Sequence, residues 1–155
     1  MLNIHIISLG SLQSPWHEAA ELYITRLKPY AKCKITELKE EKFRSTNERD
    51  IIQEKEKTHI MRHIDSTDIV IALEEKGTLY DSISFAKWIN KLSIQGDKIV
   101  FIIGGPLGLH SKILERANHT ISLSSLTFHH QLAKVVLLEQ IYRSVTITKG
   151  KQYHY

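Results

Sequence analysis

The opening residues LNIHIISL are apolar at most positions and predict a strand. Ser14-Pro15 then sets a capping residue and a first-turn proline ahead of WHEAAELYITRL, whose apolar spacing predicts a helix. CKITELK alternates apolar and polar residues, the signature of a half-buried strand. Asn47 is placed to cap a long helix, ERDIIQEKEKTHIMRHI, where interleaved Lys and Glu suit a solvated face. DIVIALE, Asp68 to Glu74, is a short β-branched run of the kind buried in parallel sheets, and Gly77 is expected to end it. Ser82 should cap the next helix, SISFAKWINKLSIQ, which Gly96 closes. KIVFII predicts another buried strand, followed by a glycine loop, a short helix through SKILERAN, a strand TISLS, a loop SLTFHH and a last helix QLAKVVLLEQIYRS.

The repeated βα order predicts an α/β fold with a largely parallel sheet flanked by helices, and 155 residues suffice for a single domain, 1–155. The last helix is apolar nearly all round, with Leu132, Val135, Val136, Leu137, Leu138 and Ile141 against a polar face of only Lys134, Glu139, Gln140 and Arg143. Such a helix must be covered on several sides, and a second subunit, giving a homodimer, is one way to do so.

Composition adds three constraints. Hydrophobic residues make up 42% of the chain, enough for a real core. No apolar run approaches membrane-spanning length and no signal-like segment opens the chain, so a cytoplasmic protein without a membrane partner is expected. The lone Cys33 lies in an alternating run, where an inert, half-buried thiol is expected. Net charge is +4, but from Lys98 onward seven Lys and Arg face only two acids. A basic second half suits either a polyanionic partner such as RNA or a merely solvated surface.

The candidate chemistry centres on two loops. Gly104-Gly105-Pro106-Leu107-Gly108 follows a predicted central strand, the end at which open α/β sheets hold ligands. The spacing matches neither G-x-x-x-x-G-K-[ST] nor G-x-G-x-x-G, and Pro106 removes an N–H that a phosphate cradle would use, so the choice lies between a tight turn and close approach of another ligand. The segment Leu123, Ser124, Ser125, Leu126, Thr127, Phe128 also follows a strand. The two loops could hold a flat ring by peptide hydrogen bonds, with Leu73 and Leu126 as apolar contacts, which suits adenosine better than a triphosphate. His59 and His63 stand at i, i+4, but Ile60 rather than Glu follows the first, so no metal is expected. His129-His130 opens the last helix, where a neutral imidazole could act near pH 7 or simply cap. The tail, Lys149 to Tyr155, mixes bases with rings that could grip exposed RNA or fray.

Taken together, IGGPLGL, LSSLTFHHQL, EQIYRS and the terminal Tyr153-His154 resemble the ribosomal RNA large-subunit methyltransferase H family of the SPOUT class, in order and over the whole chain. The resemblance implies an α/β trefoil-knot fold, S-adenosylmethionine bound in the knot, and a homodimer that methylates N3 of a pseudouridine in helix 69 of the 23S rRNA on assembled ribosomes. It implies cofactor contacts at Leu73, Gly104 and Leu123 to Phe128, and reaction chemistry at His130, Arg143, Tyr153 and His154. The chain departs from that pattern at Leu107, His129 and Tyr155, which stand where relatives commonly have a polar residue, a proline and a final basic residue. A non-catalytic RNA-binding protein of the same fold is the alternative.

Overall fold

The structure is a computed structural model that describes residues 1–154; Tyr155, one of the three departures, lies outside the described residues. Five strands form one sheet: β1 (Leu2–Leu9), β2 (Ala31–Leu38), β3 (Ile69–Leu79), β4 (Ile99–Ile103) and β5 (His119–Ser122). Their spatial order is β2-β1-β4-β3-β5 and every pairing is parallel. Parallel strands need crossovers, and four helices supply them, α1 (Trp16–Leu27), α2 (Arg49–Met61), α3 (Ser82–Ile94) and α4 (Ser111–Arg116), while α5 (His130–Thr148) follows the last strand.

Alternation along the strands sorts side chains to two faces. Ile4, Ile6, Ile71, Ile99 and Phe101 join residues of α1, α3 and α5, whereas Ile7, Leu9, Val70, Val100 and Ile102 meet Ile60 of α2 and Ile113 of α4. Both faces are therefore covered, which is why the central strands read as continuous apolar runs. Helix α5 lies against α1 and α3, and none of its residues up to Ile147 is exposed. Lys134, expected on the polar face of α5, is instead fully buried, its Nζ 2.6 Å from Oε1 of Glu37 on β2. Cys33 is half-buried, and burial pushes its thiol up to about 11.

Several boundaries differ from expectation for local reasons. Ser14 does not cap α1; its hydroxyl donates to Glu18, and Pro15 occupies the cap position. Ser45, not Asn47, caps the chain ahead of α2, by accepting from the Asn47 N–H at the start of a 3-10 turn, Thr46–Glu48. Asp81 rather than Ser82 caps α3, accepting from the Ser84 N–H at 2.7 Å. Gly77 does not end β3. The strand continues to Leu79 through a register shift between Leu73 and Thr78, and it passes so close to β5 that a Cβ on Gly77 would lie 2.4 Å from the Ile121 carbonyl carbon. Glycine there permits two backbones to touch.

Candidate functional site

Because the sheet is parallel, the carboxyl ends of its strands lie on one side, and the chain leaves β3, β4 and β5 there through segments that enclose a cleft of about 640 Å³. Leu73 comes from β3, Gly104 from the glycine loop, and Leu123, Ser124, Leu126, Thr127 and Phe128 from the loop after β5; all line it. Ser125 is exposed and does not. His130, at the start of α5, also faces this cleft, so it stands with the expected cofactor residues and apart from the tail.

The glycine loop is braced from behind. Gly108 turns the chain at φ +77°, and its N–H donates to the Gly105 carbonyl at 3.0 Å. Leu107 is buried, and its carbonyl accepts from Gln53 Nε2 of α2 at 2.8 Å. One residue along α2, Glu54 Oε2 lies 3.0 Å from Nε2 of His110, which itself caps α4. Two contacts from one helix thus hold the loop's far end, where it runs into α4. A Cβ on Gly104 would meet the Leu109 side chain at 3.0 Å, so this glycine admits a packed leucine as well as bordering the cleft. On the facing loop the Ser122 hydroxyl donates to the Ser124 carbonyl at 2.8 Å, and the Ser124 hydroxyl accepts from the Leu126 N–H at 2.9 Å. Side chains thereby hold a short loop that has no regular structure of its own.

A second cluster forms at the far end of α5. Glu139 Oε1 accepts from Arg143 Nε at 3.0 Å, from Arg143 Nη2 at 2.6 Å and from the Tyr153 hydroxyl at 3.1 Å, while Gln140 Nε2 donates to Oε2 at 2.6 Å. The guanidinium lies over the Tyr153 ring, 4.7 Å from its centroid, and Nη1 reaches the Tyr153 carbonyl at 3.4 Å and His154 Nδ1 at 3.3 Å. Arg143, Tyr153 and His154, distant in sequence, therefore meet. Glu139, which joins them, reads in the sequence as one more polar position on α5; its i, i+4 spacing from Arg143 is the signal that marks it. No comparable signal points to Gln53.

The two groups are neighbours. His154 lines a cavity of about 480 Å³ between Tyr80 to Ile83 and α5, and this cavity shares Ile121, Ser122 and Leu123 with the larger cleft. Their protonation states are set by surroundings. Burial and the adjacent His129 hold the His130 imidazole below its usual value, so it is neutral at pH 7. Burial, together with the Glu139 carboxylate, pushes the Tyr153 phenol up, so it remains an O–H donor. The hydrogen bond to Glu139 raises Arg143 further, and it stays charged. Among the described residues no group of three His, Cys, Asp or Glu side chains is arranged to hold a metal.

The cleft's lining suits S-adenosylmethionine. Leu73, Ile121, Leu123 and Phe128 offer apolar surface for a purine, while Arg49 on one side and Glu74 and Glu75 on another offer both charges that a zwitterionic amino acid requires. The cleft is within the size range of small-molecule sites.

Comparison with known proteins agrees in kind. A family model described as predicted SPOUT methyltransferase matches residues 2–154. Proteins named ribosomal RNA large subunit methyltransferase H from Clostridium kluyveri and Clostridium tetani are 43% and 44% identical to this chain, each alignment covering 99% of both sequences. Among solved structures, a methylase family protein from Neisseria gonorrhoeae superposes with a TM-score of 0.61 at 14% identity, covering 99% of this chain and 86% of its own. One from Haemophilus influenzae gives 0.54 at 13%, covering 96% and 67%. At such identities these two speak for the fold alone.

Proposed function

Since the chain belongs to the SPOUT methyltransferase family, we propose that it methylates large-subunit ribosomal RNA, and specifically N3 of a pseudouridine in helix 69 of the 23S rRNA on the assembled ribosome. The observation that carries this reading is the common wall, Ile121 to Leu123, between the cleft that suits the cofactor and the cavity that His154 lines. S-adenosylmethionine, the cofactor of this class, supplies when bound a sulfonium methyl group that a nitrogen nucleophile can accept. Leu73, Gly104, Leu123, Ser124, Leu126, Thr127 and Phe128 would hold it, with Ser125 shaping the loop rather than touching it.

The acceptor nitrogen carries a proton at neutral pH, and that proton must leave before N3 can attack. His130, held neutral, and His154 are our candidates to accept it. Loss of the proton spreads negative charge to the flanking ring carbonyls. Arg143 keeps a full charge there, and with Nε and Nη2 occupied by Glu139 it presents the Nη1 edge toward the tail, where a developing anion is stabilised. Tyr153, fixed by Glu139 and Tyr142, orients or stacks on the base. The trefoil-knotted chain path, the homodimer and a cytoplasmic place of work belong to the same reading.

Ribosomes lacking the modification, incubated with radiolabelled S-adenosylmethionine and this protein, should gain label at that N3. RNA binding without transfer would instead support a non-catalytic binding protein. Arg143→Ala should lower turnover about 100-fold, the scale of removing one charge-stabilising donor, with cofactor affinity unchanged. A wild-type rate in that variant would remove Arg143 from the chemistry.

A further inference from the structure

Arg49, the first residue of α2, is the only Lys or Arg among the described residues lining the cleft, and it joins no ion pair among them. The carboxylates on the lining are already engaged locally: Glu74 accepts from the Lys76 N–H at 2.7 Å, and Glu75 from the Thr127 hydroxyl at 3.1 Å. Arg49 therefore has its full hydrogen-bonding fork to offer to whatever enters. The helix that carries this exposed side chain is anchored, because Gln53, one helical turn on, bonds the Leu107 carbonyl and ties α2 to the wall of the cleft.

A free guanidinium matches a carboxylate, which it binds through two parallel N–H donors. A purine or ribose presents no formal negative charge, and an ammonium or sulfonium is repelled. We infer that Arg49 is the specificity-determining residue for the α-carboxylate of the cofactor's amino acid end, so that the methionine portion points to α2 and the adenosine to the loop after β5. This inference rests on the cofactor reading above and adds to it a direction of binding and a basis for selecting amino acid-bearing nucleosides.

Calorimetric titration of the whole chain with two probes tests it: S-adenosylhomocysteine, which keeps the amino acid, and 5′-methylthioadenosine, which lacks it. Wild type should prefer S-adenosylhomocysteine, Arg49→Met should weaken that ligand about tenfold while methylthioadenosine stays within about twofold, and Arg49→Lys should recover part of the loss. Added salt should weaken S-adenosylhomocysteine more in wild type than in Arg49→Met. Equal affinity of wild type for the two probes, or equal weakening of both by Arg49→Met, overturns the assignment while leaving an adenosyl site in place. Failure of wild type to bind either probe overturns the cofactor reading and the assignment together.

Discussion

His5 lies on β1 with its Nε2 2.8 Å from the Thr36 hydroxyl and its ring edge-on to His63, 6.5 Å between centroids. It is 3% exposed, and burial lowers its pKa from 6.5 to about 4, aided by Lys34, Lys98 and His63 and opposed by Asp68. Because the folded value is below the unfolded one, the unfolded chain binds the extra proton first. The stability contributed by neutral His5 is therefore complete above pH 6.5 and is lost as pH falls to about 4. The shift corresponds to about 3 kcal/mol. Urea titrations of wild type should show a fall of this order between pH 7 and 4, and His5→Gln should show a flatter profile. If the two profiles are parallel, the acid sensitivity lies elsewhere. The cluster around Arg143 differs in kind from this buried histidine, since Glu139 balances the one full positive charge that the proposed chemistry needs.

At the scale of elements, Gly77 of β3 leaves no room for a side chain against Ile121 of β5, and β5 leads directly into the loop that borders the cleft. Gly77→Ala would set a methyl group 2.4 Å from backbone that cannot rotate aside, so β5 must shift. Overpacking of this kind costs about 1–3 kcal/mol. The denaturation midpoint should drop accordingly and affinity for S-adenosylhomocysteine should fall with it; an unchanged midpoint would mean that β3 relaxes freely. The βα order, all five strands and the long helices were legible because periodicity and β-branched runs record burial directly. Gly77 was not, because a glycine that admits a neighbouring backbone and a glycine that ends a strand look alike along one chain. The caps moved for a related reason: Asn47 and Ser82 each stand within two residues of another side chain able to take the role, whereas Ser14 spends its hydroxyl on Glu18. The two cleft loops could be read from their glycines and serines, whereas Gln53 and Arg49 could not, since α2 reaches the cleft only through tertiary packing.

For the whole molecule, the apolar circumference of α5 is largely satisfied within one chain, by α1, α3 and the sheet. What is left is narrower than the sequence suggested: half-buried Leu132 and Val136 on α5, with Ile83 at 46% exposure beside Val136 in the smaller cavity. We propose that a second copy covers this strip. Sedimentation at micromolar concentration should then give twice the 17.9 kDa chain mass, and Ile83→Glu should shift the population to monomer. A monomeric wild type would end the proposal. Beneath these surfaces α5 is tied to β2 by the pair of Lys134 and Glu37, 97 positions apart and in direct contact. Replacing Glu37 alone strands the fully buried Lys134 ammonium, which is costly, whereas two apolar residues could succeed them together. Positions 37 and 134 are therefore a couple in the energetics of folding: the cost of changing Glu37 depends on which residue stands at 134.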